Sequence, residues 1–137
     1  MPTATVEVPE QRLRDLLCGA LEGGSNYWYM HTRSEFADGL AYEDFQEGGK
    51  CTLPEYWHPL ELIPFVEGCA LILTTERAGD EGDTTERRLD RAALAQGIQV
   101  MAQKYPAHFA NVQTEDDDAE TADVFLQCCL FGEIVYG

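Results

Sequence analysis

Basic residues are scarce in this chain: nine lysines and arginines stand against twenty-five aspartates and glutamates, giving a formal net charge of −16 over 137 residues. That imbalance surrounds the protein with negative potential and excludes direct binding to DNA or to an anionic membrane, while favouring a basic protein partner. No positively charged n-region with an apolar h-region opens the sequence, and no apolar run is long enough to span a bilayer, so a membrane location is not expected. The phosphate-cradling P-loop, the dinucleotide fingerprint and the HExxH zinc pattern are all missing. The acidic run Glu115-Asp116-Asp117-Asp118 lacks the ligand order and central glycine of a calcium loop and reads as a solvated lead-in to a helix.

Histidines number three and cysteines five, with no short C-x₂₋₄-C spacing. Cys51 and His58 lie seven apart, and His31 and His108 could join them only through the fold. No metal and no cofactor are therefore expected. The cysteines (Cys18, Cys51, Cys69, Cys128, Cys129) are odd in number and two are adjacent, a pattern of reduced thiols used mainly as small core residues. A Cys–His nucleophile pair would meet in space rather than in sequence, but no catalytic motif points to one, and the chain is read as a non-enzyme.

Hydrophobic residues make up 45% of the chain, enough for one domain over residues 1–137 with a sizeable core. Residues 1–8 alternate weakly, as in a short edge strand. Pro9 then suits a helix start, and Leu13, Leu16, Leu17, Ala20 and Leu21 follow the spacing of an amphipathic helix that Gly23-Gly24 closes. Tyr27 to His31 reads as a strand, with Tyr27 and Tyr29 on one side and Trp28 and Met30 on the other. Residues 34–57 lack a clear period, with room for one short helix. Leu60–Val66 and Cys69–Thr75 read as two strands joined at Glu67-Gly68, the first at a sheet edge because of Pro59 and Pro64, and 78–83 as a solvated loop. A second helix is expected from Thr84 or Thr85 to Pro106, and a third from an Asp118 cap, with Ala122, Leu126 and Cys129 on its buried side and Phe125 beside them. These elements predict an α+β fold: a small, mainly antiparallel sheet with about three helices packed on it. Exposed sheet edges favour a symmetric homo-oligomer.

Two clusters offer chemistry. Tyr27, Trp28 and Tyr29 either fill a core on both sides of a sheet or form a stacking wall for a flat ring, with Asn26 hydrogen-bonding the ligand and His31 and Arg33 offsetting its charge. Arg87, Arg88 and Arg91, placed at the start of the second helix, either hold a phosphate or carboxylate or pair with Glu86, Asp90 and neighbouring acids. The acids gather in three zones, Glu35–Glu47, Glu76–Glu86 and Glu115–Asp123, which serve either as a solubilising coat or as a mimic of a nucleic-acid backbone.

The runs Leu16-Leu17-Cys18-Gly19-Ala20-Leu21-Glu22-Gly23-Gly24-Ser25-Asn26-Tyr27-Trp28-Tyr29 and Ala122-Asp123-Val124-Phe125-Leu126-Gln127-Cys128-Cys129-Leu130-Phe131-Gly132-Glu133-Ile134-Val135-Tyr136-Gly137 cover about a fifth of the chain. They resemble the opening and the ending of a family of short proteins from tailed bacteriophages. The resemblance implies a phage accessory protein acting in the cytoplasm of the host bacterium, and small acidic phage proteins are often counter-defence factors. Two modes follow. One is a sponge that sequesters a nucleotide-like immune signal between the aromatic cluster and the arginines. The other is an acidic inhibitor that occupies the nucleic-acid groove of a host defence protein, of the anti-CRISPR or anti-restriction type.

Overall fold

The computed structural model describes residues 6–45, 62–77, 80–114 and 118–136. They form an α+β protein with a three-stranded antiparallel sheet and four α-helices. Two compact units contain them: a helical unit of residues 1–27 and 94–137, and a sheet unit of residues 28–93.

In the helical unit, α1 (Glu10–Gly19) follows Pro9 and continues into a π-helical turn, Ala20–Gly24, where the glycine pair ends it. Leu16, Leu17 and Ala20 are fully buried, so the apolar spacing marks the inward face as expected. Val6–Val8 are not a strand. The Gln99 side chain takes the place of a neighbouring strand instead: Val6 N donates to Gln99 Oε1 at 2.9 Å, and Gln99 Nε2 donates to Val6 O at 2.8 Å.

The helix expected from Thr84 or Thr85 starts later. α2 is Arg91–Lys104, and Asp90 caps it by accepting from Ala93 N at 2.9 Å. Pro106 does end that pattern, but it also occupies the first turn of a further helix, α3 (Pro106–Gln113), because proline's fixed φ suits a helix start. α4 (Ala119–Phe131) has the expected cap: Asp118 accepts from Thr121 N at 2.9 Å, which holds the Asp118 carboxyl below the usual carboxylate range. Every residue from Thr121 to Cys128 is buried, so the middle of α4 is enclosed all round, while Cys129, expected on its buried side, is half-buried. Gly132, at φ 75°, closes it in the left-handed conformation, and Lys104 Nζ donates to the Gly132 carbonyl at 2.9 Å.

Glycine lets α2 approach α4. A Cβ at Gly97 would stand 2.8 Å from Cys129 Cα and 2.9 Å from Cys129 N, both backbone atoms that no rotamer change can move. Gly97→Ala therefore forces the helices apart, and a loss of about 1–3 kcal/mol is expected on denaturant unfolding. An unchanged midpoint would show that α2 slides along α4 at no cost.

In the sheet unit the order is β1-β2-β3, with β1 Tyr29–Glu35, β2 Ala70–Arg77 and β3 Asp80–Leu89. β2 lies where the sequence placed a strand. Its expected partner does not form: Ile63–Phe65 is a 3-10 turn, since Pro64 lacks the N–H a ladder needs, and residues 60 and 61 lie outside the described set. The residues from Asp80 that read as a loop belong to β3, as do Thr84–Leu89, which read as a helix start. The deciding pattern there is period two: Glu86 and Arg88 are exposed, Arg87 is half-buried and Leu89 is fully buried. The irregular stretch contributes one 3-10 turn, Tyr42–Phe45. Its Phe45 packs with Leu62, Ile63 and Cys69 in a small core, and residues 46–57 lie outside the described set.

Candidate binding surface

Residues 16–27 and 122–136 both lie in the helical unit, where they converge on one buried carboxylate. Asp123, on α4 and 7% exposed, accepts from Ser25 Oγ at 2.8 Å, from Tyr27 OH at 2.5 Å and from Gln127 Nε2 at 3.2 Å. Its i, i+4 neighbour Gln127, also buried, grips the C-terminal segment: Gln127 Oε1 accepts from Val135 N and Tyr136 N, both at 2.8 Å, and Gln127 Nε2 donates to Tyr136 O at 3.2 Å. Tyr105 OH accepts from Ile134 N at 2.8 Å. The sequence reading named none of Ser25, Asp123 and Gln127 as site residues. The available signal was a pair of polar side chains four apart inside the apolar run of α4, which has to find buried partners.

This arrangement changes the meaning of the aromatic cluster. Tyr27 and Trp28 precede β1 rather than forming its start. Trp28 is only 5% exposed and meets Tyr29 edge-on at 5.7 Å, so it is core and cannot offer its face to a ligand. Tyr29 is half-buried, and burial raises its phenol pKa. Tyr27 is 59% exposed but its hydroxyl is tied to Asp123, and Asn26 beside it is exposed. The expected alternation also fails past Tyr29. The register shifts between Tyr29 and His31, leaving Met30 and His31 both exposed.

Arg33 and Arg88 are engaged in ion pairs. Arg33, Ile72 and Arg88 lie in one row across the three strands, on the same face as Glu35 and Glu86. Arg33 pairs with Glu86 at 2.8 Å and with Glu35 at 3.0 Å, while Arg88 pairs with Glu35 and, at 3.1 Å, with Asp90. Hydrogen bonds from Arg88 and then Arg33 hold the Glu35 carboxyl below the usual range, and Arg33 does the same for Glu86. Arg87 is half-buried on the opposite face of β3 from Arg88, so the three arginines do not share a helix start. Arg88 and Arg91 do line one cavity of about 140 Å³, but Glu67 and Asp90 share it, and Arg91 Nη1 donates to the Phe65 carbonyl. A phosphate there would face carboxylates as well as guanidinium groups.

The four described cysteines are free thiols; burial pushes Cys128 up to about 11 and Cys129 well above the ordinary thiol value, which suppresses the reactive thiolate. Among the described residues, no three of His, Cys, Asp and Glu converge to hold a metal ion, and no helix is long and apolar enough to cross a membrane.

Tyr27 gives the cluster a titration signature. Burial of the hydroxyl, then its hydrogen bond to Asp123, push its pKa to about 12 from the ordinary 10.0. The folded pKa is the higher one, so the stabilisation is complete below the unfolded value and is lost as pH rises from 10.0 through about 12. Followed by tyrosinate absorbance, Tyr27→Phe should remove one step from the late end of the titration. A step lost near the ordinary value would mean that the Asp123 contact does not persist in solution. No protein-family model, no curated protein and no solved structure matches this chain.

Proposed function

We propose that this protein is a phage accessory factor that acts in the cytoplasm of the host by binding rather than catalysis, and that it inhibits a host defence complex by presenting an acidic surface to a groove built for nucleic acid. The observation that carries this reading is the fate of the basic side chains. In the helical unit, with eleven acids and three bases, Arg12 pairs with Asp15, Arg14 with Glu10, and Lys104 turns onto the Gly132 carbonyl. In the sheet unit Arg33 and Arg88 are likewise engaged with acids, and Arg91 with a main-chain carbonyl. Exposed carboxylates such as Glu7, Glu22, Asp38, Glu43, Glu67 and Glu133 therefore set the outward potential.

The test is phage survival on bacteria that carry a restriction or RNA-guided defence system, with the protein supplied in trans. Protection is expected with the natural chain and is expected to be lost in the triple variant Glu7→Lys, Glu22→Lys, Glu133→Lys, provided that variant keeps its helical circular dichroism. Inhibition of the purified defence nuclease should weaken steeply with added salt. Full protection by the folded triple variant would refute the acidic mechanism.

A second reading, sequestration of a nucleotide immune signal, keeps one support: the exposed Tyr27 with Asn26 beside it. Native mass spectrometry of protein purified from cells with an active nucleotide-signalling defence separates the two. An added mass of nucleotide size that is lost in Tyr27→Ser would favour the sponge.

A further inference from the structure

Resting on the acidic-surface reading above, the geometry points to a specific contact point on it: we propose that Tyr27, Ile134 and Val135 form the docking surface for a partner segment that carries an apolar side chain flanked by lysine or arginine. These three are the large hydrophobic side chains that the described part of the helical unit leaves exposed, at 59%, 38% and 43%. The buried Asp123–Gln127 pair brings them near one another: Tyr27 OH and Gln127 Nε2 both donate to Asp123, and Gln127 Oε1 accepts from Val135 N.

The C-terminal segment is held rigidly there. Main-chain groups of Ile134, Val135 and Tyr136 are satisfied from the inside by Tyr105 and by the fully buried Gln127. Two aliphatic side chains are thus fixed outward before any partner arrives, which reduces the ordering cost of binding. An apolar centre with a charged rim is the usual anatomy of a protein interface.

Charge selects the occupant. Glu133, next to Ile134, is exposed, and the unit that carries the surface has eleven acids against three internally engaged bases. A second copy would bring like charge to this surface, whereas a basic segment with an apolar tip matches both the centre and the rim.

The experiment measures fluorescence anisotropy with two synthetic peptides at low salt, Arg-Arg-Leu-Trp-Arg-Arg and Arg-Arg-Gly-Ser-Arg-Arg. The natural chain should bind the Leu-Trp peptide about tenfold more tightly. The double variant Ile134→Ser, Val135→Ser keeps the main-chain amides that Tyr105 and Gln127 hold, and in it the preference should vanish while salt-sensitive binding of both peptides remains. Equal affinities in the natural chain, or a preference that survives in the variant, would overturn the docking surface and leave the acidic reading standing. Failure to bind either peptide would overturn both. Self-association of the natural chain in sedimentation, abolished in the double variant, would assign the surface to a second copy and overturn the proposal as well.

Discussion

Asp123→Ala should cost about 3–5 kcal/mol of stability, because it removes the acceptor that three donors share, two of them on buried side chains. Ser25 is fully buried and Gln127 nearly so, and both give a hydrogen to this carboxylate, as does Tyr27. A hydrogen bond to a charged group contributes about 1.5–3 kcal/mol, and a buried donor left without an acceptor costs about 1–3 kcal/mol. Against a total stability on the order of 5–15 kcal/mol, that loss brings the chain close to its unfolding threshold. The damage should also spread to the C-terminal segment, since Gln127 is oriented by Asp123 and holds the amides of Val135 and Tyr136. Hydrogen exchange at those two amides should accelerate in the variant more than the global loss explains. Asp123→Asn, which keeps an acceptor oxygen, should fall between the two. A denaturation midpoint shifted by less than about 1 kcal/mol would show that Ser25 and Gln127 repartner readily, and the shared carboxylate would then not be the anchor of this unit.

The sequence was legible where one local rule acted alone. Leu16, Leu17 and Ala20 mark the buried face of α1, the glycine pair ends that helix, Asp118 caps α4, and Cys69–Thr75 contains most of β2. It was opaque where a residue satisfies two rules at once. Thr84 and Thr85 are good helix caps and good strand residues, and their pairing with β2 decides between these, which no local window contains. Pro106 marks both the end of α2 and the start of α3. Candidate-site residues suffered most, because Tyr27-Trp28-Tyr29 looks the same whether it faces a ligand or a core. Asp123 lies 96 residues from Tyr27, and only the fold shows that this tyrosine's hydroxyl is spoken for. The alternative of ion pairing for Arg88 was written in its own neighbourhood, since Asp90 is two residues away; Glu35, its other partner, is 53 away across the sheet.

Trp28→Ala tests the same ambiguity at its sharpest point. If Trp28 lined a stacking wall, its removal would abolish binding and leave the fold intact. The structure places it at 5% exposure in the sheet unit, edge-on to Tyr29, so the expected result is the reverse: a loss of about 3–5 kcal/mol, the range for deleting a large buried aromatic side chain. The near-ultraviolet dichroism of the aromatic residues should fall with it, and the denaturation midpoint should drop with little change in slope. Any loss of the proposed counter-defence activity in that variant would then be a loss of folded protein, and lowering the temperature or raising its concentration in the cell should restore protection. Trp28→Phe, which fills part of the space, should retain most of both stability and activity. A Trp28→Ala protein with natural stability would mean that the ring is not core in solution, and would return the aromatic cluster to the list of surfaces a flat ligand can reach.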